Sequence, residues 1–395
     1  MRIVDVCAFY SPSGGGVRTY VDAKLRSAAA LGHELVVIAP SDKAQVVEIA
    51  PGAILAGIPA PTMPFDHRYR YFNDADRLHS ELDRWQPDHI ECSSPWSSAS
   101  AVARWKGNAT RALFMHSDPM AAYAYRWFSF LKPAIVDGLF SRFWDHMRAL
   151  GRSFDVVVSP SRQLSDRLRQ RGLTNVSTIP LGVEDRFSPA RRDPELRAEL
   201  LSEMGLAPSA KLLLAVGRLA PEKRPTMVAK AVAEVGRTHD VGLVLAGEGS
   251  MLPKVERLAA RSGRIRLLRH ISDRDSLARL IASSDALVHG CEAETFGLVV
   301  AEALASGTPV IVPDRGGAFE QLMPGRGLAY AAGSRVDLTR AISSFVRSGV
   351  KASGHATPTR AGARLMDDHF RELFDCYRRF AFAPDGGREA VMNAM

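Results

Sequence analysis

The chain has 395 residues, 46% hydrophobic and 24% charged, a globular composition that excludes the disordered and fibrous classes. That length exceeds one ordinary domain, so two are expected. The formal net charge of +8 would suit an anionic substrate, an acidic membrane surface or nucleic acid, but no nucleic-acid-binding motif accompanies it, so no nucleic-acid partner is expected.

The opening "MRIVDVCAFY" runs straight into a buried strand with no signal-peptide core ahead of it, and no stretch of about 18 apolar residues follows anywhere. A cytoplasmic protein is expected. Cys7, Cys92, Cys291 and Cys376 lie far apart and lack the spacing of a zinc site or a disulfide framework, which predicts reduced thiols. Short apolar, β-branched runs then alternate with helical patterns: "RIVDVCAFY", "ELVVIAP", "ILAGI", "DHIEC", "ALFM" and "DVVVS". Such alternation predicts βα units on a parallel sheet. Residues 179 to 194, "IPLGVEDRFSPARRDP", are rich in proline, glycine and charge and read as a linker, with the boundary near Gly182. A second series follows with "KLLLAVG", "GLVLAGEG", "RIRLL", "ALVHG", "TPVIVP" and "GLAY". Two Rossmann-like domains are therefore expected, over 1–181 and 182–365, with a helix at 366–382 packing back towards the first and a frayed tail at 383–395.

Three loops carry candidate chemistry. "SPSGGGVRTYV" opens a helix after the first strand, and Gly14, Gly15 and Gly16 would let backbone amides approach an anion there. The spacing is not G-x-G-x-x-G, and a plain strand-to-helix turn explains it equally well. "LLLAVGRLAPEKRP" ends a buried strand at Gly217 and delivers Arg218 and Lys223 to the carboxyl edge of the sheet, where two cations suit a diphosphate. Alone, that pattern is more often a solvated basic loop. "CEAETFGLVVAEALASG" runs from a strand through a loop into a helix, with Thr295 as its expected N-cap, Gly307 just past its end, Glu294 before it and Glu302 in its second turn. Free amides near Gly297, Leu298 and Val299 would face a phosphate held by Arg218 and Lys223, while the carboxylates would accept sugar and ribose hydroxyls. Taken singly, both glutamates read as ordinary acids complementing a helix dipole.

Taken together, the motifs change that balance. "GGGVRTYV", "FMHSDP", "VSPSRQLSDRL" followed by "IPLGVEDRFSP", "VGRLAPEKRP" and "ETFGLVVAEALASGTPVIVPDRGG" occur in an order that resembles a retaining B-type glycosyltransferase of glycosyltransferase family 4, glycosyl transferases group 1. The resemblance covers nearly the whole chain, and the last motif is the most specific. It implies two Rossmann-like domains facing each other across a cleft, acceptor side first and donor side second. It also implies transfer of a hexose from a nucleotide-diphosphate sugar, of the GDP-mannose or UDP-glucose type, to a glycan, lipid or small-molecule acceptor. Carried to matching positions, it implies that Arg218 and Lys223 hold the diphosphate, Glu302 the ribose and Glu294 the donor sugar. Amides of Thr295, Phe296, Gly297 and Leu298 would complete the cradle. Gly15 and Gly16 would approach the donor phosphates, and His116 would stand near the donor sugar and the acceptor.

No metal and no cofactor are expected, because two cations and a helix terminus already meet the diphosphate and no Asp-x-Asp is placed to hold a metal. Two departures stand out. Arg269 and His270 replace a glycine common after the equivalent of "RIRLL", which leaves the base open, and "HGC" replaces the usual "PS" before the acidic loop, a change expected to bear on packing. Residues 121 to 152 hold eight aromatic and five basic residues against two acids. That composition suits either a helix pair packed on the N-terminal sheet or peripheral contact with an anionic membrane. A nucleotide-sugar epimerase of the same fold and a non-catalytic nucleotide-sugar-binding protein are the other readings.

Overall fold

The computed structural model describes residues 1–11, 15–64, 66–348 and 363–382, so Gly14 and the tail at 383–395 lie outside the described residues. The chain divides into two compact units. Met1–Met120, Trp127–Pro180 and the segment from Met366 onward form unit 1, and Ala121–Arg126 with Leu181–Leu365 form unit 2.

Unit 1 contains β1 (Arg2–Val6), β2 (Glu34–Ser41), β3 (Gln45–Ala50), β4 (Ala53–Pro59), β5 (Thr62–Met63), β6 (Asp66–Arg70), β7 (His89–Cys92), β8 (Thr110–Phe114), β9 (Val156–Ser159) and β10 (Val176–Thr178). Eight of them form one sheet in the order β10-β9-β8-β7-β1-β2-β4-β3, and β5 and β6 make a separate hairpin. All pairs in the large sheet are parallel except β3 with β4. Consecutive residues of β2, β7 and β9 are buried, as expected where helices cover both faces. β3 departs from this: Val46, Val47 and Ile49 are exposed on the edge strand.

Helix Met366–Ala381 belongs to this unit and buries Phe370, Leu373, Phe374, Tyr377 and Phe380 along one stripe of helical spacing. Beneath it Lys24 donates to Asp5 Oδ2 at 3.0 Å and is paired with Glu91, all three fully buried. Tyr377 donates its hydroxyl to Glu91 Oε2 at 2.7 Å and stacks on His89 at 4.1 Å. Burial opposes charge on Lys24, yet the two carboxylates outweigh it and raise its pKa; burial likewise raises Asp5.

The aromatic segment is split in character. Helix Ser141–Ser153 buries Trp144, Met147 and Leu150, with Trp144 Nε1 donating to Asp137 Oδ1 at 3.0 Å. The stretch before it leaves Trp127, Phe130, Ile135 and Leu139 exposed, by 60%, 78%, 51% and 62%. Among the described residues no helix is long and apolar enough to cross a membrane. The four cysteines are buried and free.

Unit 2 contains β11 (Lys211–Val216), β12 (Val241–Ala246), β13 (Ile265–Leu268), β14 (Ala286–Val288), β15 (Val310–Pro313) and β16 (Gly327–Tyr330). They form an all-parallel sheet in the order β13-β12-β11-β14-β15-β16, the 3-2-1-4-5-6 arrangement of a Rossmann domain. Apolar clusters fill both faces. The segment expected to act as a linker is packed instead: Val183 and Phe187 enter the core, because isolated apolar residues in a polar stretch still gain by burial.

Candidate donor site

Chain order in the unit 2 sheet reverses between β11 and β14, so the loops after these two strands leave the carboxyl edge side by side. Ligands of open α/β sheets bind at such a reversal. After β11 the chain passes Gly217 and Arg218 and makes a turn over Pro221–Lys223 before helix Pro225–Val235. Arg224, which caps that helix, sits at φ +50°, a left-handed conformation uncommon for a side-chain-bearing residue. It is held there by a two-pronged contact with Glu292, Nε donating to Oε2 at 2.9 Å.

After β14 the loop runs from His289 to Gly297 and turns into helix Leu298–Ala305. Gly297, at φ +86°, is the N-cap and offers no side-chain cap, so the first helical amides have no partner from that side chain. This corrects the expectation that Thr295 caps the helix. Thr295 and Phe296 are instead buried in the loop. "DRGG" supports the loop from below: a Cβ on Gly317 would come within 2.3 Å of Thr295 O, and Gly317 N donates to Glu294 O at 2.8 Å.

These loops bring Lys223 and Glu294 into a direct ion pair. Burial opposes ionisation of both, but each partner outweighs it: Glu294 holds Lys223 above the ordinary lysine range, and Lys223, helped by His289, holds Glu294 well below the ordinary carboxylate range. Arg218 donates to Glu222 Oε1 at 2.7 Å and stays partly exposed. Glu302 lies deeper, 2% exposed, where burial raises its pKa against the opposing pull of Arg274. Arg274 Nη2 donates to Glu302 Oε1 at 2.5 Å and its Nε to Glu184 Oε2 at 2.8 Å.

Unit 2 thus gathers Arg218, Lys223, Glu294, Thr295, Phe296, Gly297, Leu298 and Glu302 around one sheet edge. The remaining candidates lie in unit 1. Gly15 caps helix Gly16–Ala30 at φ −89°, and a Cβ on either glycine would meet nothing within 4 Å, so the fold itself does not require glycine at these positions. His116 follows β8 and packs against Tyr20 and Phe114, at ring distances of 4.8 and 4.4 Å. Burial lowers its pKa to about 4, so the imidazole is neutral at pH 7.

Sequence reasoning passed over Arg274, Glu184 and His289. The "HGC" departure does more than pack: His289 Nε2 lies 3.2 Å from Glu294 Oε1. The donor atoms of His289, Cys291 and Glu294 fall within 4.8 Å of one another. In this structure the Lys223 ammonium occupies the Glu294 carboxylate, and burial pushes the Cys291 thiol up to about 12.

A GDP-mannose-dependent α-(1-6)-phosphatidylinositol dimannoside mannosyltransferase of Mycobacterium tuberculosis is 31% identical over 315 residues, spanning 79% of each chain. The family model described as Glycosyltransferase Family 4 matches residues 14–187, and that of glycosyl transferases group 1 matches 197–358. The chain belongs to this glycosyltransferase family. A GDP-mannose-dependent α-mannosyltransferase, also of M. tuberculosis, is 30% identical over 343 residues and 82% of each chain. The sucrose-phosphate synthase of Thermosynechococcus elongatus superposes with a TM-score of 0.77 at 19% identity, over 97% of this chain and 100% of the other. The glycosyltransferase therefore has the B-type fold, with two Rossmann-like domains.

Proposed function

We propose that this glycosyltransferase moves mannose from GDP-mannose to a hydroxyl of a glycan or glycolipid acceptor, with retention of configuration and without a divalent metal. The observation that carries the proposal is the Lys223–Glu294 pair beside an uncapped helix N-terminus at the chain reversal of unit 2. The names of the relatives favour GDP-mannose as donor. Breaking the anomeric bond builds negative charge on the leaving diphosphate, where Arg218, Lys223 and the first amides of helix Leu298–Ala305 would stabilise it. On donor arrival Lys223 exchanges its carboxylate partner for phosphate, and Glu294 turns to the sugar hydroxyls. The acceptor hydroxyl attacks the face that the leaving group vacates and passes its proton to a phosphate oxygen, which retains the configuration. Glu302 takes the ribose hydroxyls, and neutral His116 hydrogen-bonds to the donor sugar.

Peripheral membrane contact is a second part of the proposal, favoured by the exposed Trp127, Phe130, Ile135 and Leu139 with Lys132 and Arg142 exposed among them. The donor assignment is tested by thermal unfolding against a panel of nucleotide-sugars in EDTA. GDP-mannose should raise the midpoint most, because a ligand that binds only the folded state stabilises it by mass action. A larger shift with a UDP-sugar would reassign the donor.

A further inference from the structure

In unit 1 the sheet order reverses between β1 and β7, with β2 on one side and β8 on the other. A cavity of about 380 Å³ lies where these two strands end. Phe9 follows β1, Trp96 follows β7, and Met63, Tyr71 and Phe72 come from the β5–β6 hairpin and its exit. Phe72 is buried, whereas Tyr71 and Trp96 are 36% and 42% exposed, so the cavity has a deep apolar wall and two aromatic residues open to solvent. Arg70 also lines it, but its Nη1 is already donated to Ala60 O at 2.6 Å. Ser94, Ser97 and Ser98 line it too, but Ser97 Oγ is donated to Phe72 O at 3.2 Å, and Ser94 and Ser98 are each only 1% exposed.

We propose that this cavity holds the apolar end of the acceptor, an alkyl or acyl chain joined to the sugar or polyol that receives the hexose. The inference rests on the glycosyl-transfer reading and specifies its acceptor class. Three features carry it: a position where open sheets take ligands, a volume at the lower end for small-molecule sites, and a lining that offers a free sugar little to bond with. A carbohydrate alone would leave its hydroxyls unpaired against Phe9, Met63 and Phe72, whereas a hydrocarbon gains free energy with each methylene buried.

The test is equilibrium binding of methyl and octyl α-mannoside, below the micelle concentration of the latter, by calorimetry on the full chain. The wild-type protein should bind the octyl glycoside at least about tenfold more tightly, a modest share of what full burial of the added methylenes would give. Trp96→Ala and Tyr71→Ala, both at partly exposed positions, should erase that preference, while Trp127→Ser keeps it. Equal binding of the two glycosides by wild type, or loss of the preference in Trp127→Ser but not in Trp96→Ala, overturns the proposal. Stabilisation by GDP-mannose is measured in the same samples. Its absence alongside intact octyl selectivity would sink the donor reading and leave the cavity assignment standing.

Discussion

Glu294 and Glu302, eight positions apart on one loop and helix, differ sharply in environment. Glu294 is held ionised by Lys223, and Glu302 is buried against Arg274, which also holds Glu184. The two should therefore fail differently. Glu302→Gln should mainly raise the donor KM, since ribose hydroxyls are held before and during reaction alike. Glu294→Gln should lower kcat at saturating donor, because the sugar is where charge develops and orientation matters. Lys223→Ala should cut kcat/KM by about a hundredfold or more through loss of a charge contact made in the transition state. Steady-state donor titrations at fixed acceptor decide all three, and Lys223→Ala within threefold of wild type would remove that residue from the site. The sequence pattern singled out these three residues as candidates but did not show how they pair. Lys223 meets Glu294 only once β11 and β14 are neighbours, an adjacency that depends on strand order rather than local pattern, and Arg274 reaches Glu302 from the start of the helix that precedes β14.

At the scale of elements the chain was largely readable. Each of the twelve apolar runs became a strand, because parallel strands covered on both faces leave continuous buried stretches. β3, the β5–β6 hairpin and the three-residue β10 were not legible: β3 is an exposed edge, β5 and β10 are too short to show a period, and β6 is the polar run "DHRYR". In unit 1, helix Met366–Ala381 is tied to the sheet by Tyr377 on Glu91, itself held by Lys24. Lys24→Met leaves two buried carboxylates without their cation and should cost about 3–5 kcal/mol, read from denaturant unfolding. A loss under about 1 kcal/mol would show that the triad relaxes into water. The aromatic stretch supplies the other prediction. The protein should sediment with anionic liposomes at low salt and release as salt rises, since exposed charges are screened within about 10 Å at 0.1 M. Trp127→Ser with Phe130→Ser should weaken that binding, and no sedimentation at low salt would leave these residues without a lipid role.

At the scale of the whole molecule, two sheets of Rossmann type each present a chain reversal. The one in unit 2 gathers cations, carboxylates and a helix terminus, and the one in unit 1 opens an apolar cavity. That division of chemistry fits a donor that is a charged diphosphate and an acceptor with a hydrocarbon end. Retaining transfer from GDP-mannose without a metal is read out by a nuclear magnetic resonance time course in EDTA, with GDP-mannose and octyl α-mannoside as substrates. GDP and an α-linked dimannoside should appear together from the first turnovers, the α-configuration read from the carbon–hydrogen coupling at the new anomeric carbon. A β-linked product, or turnover that begins only when magnesium or manganese is added, would contradict it.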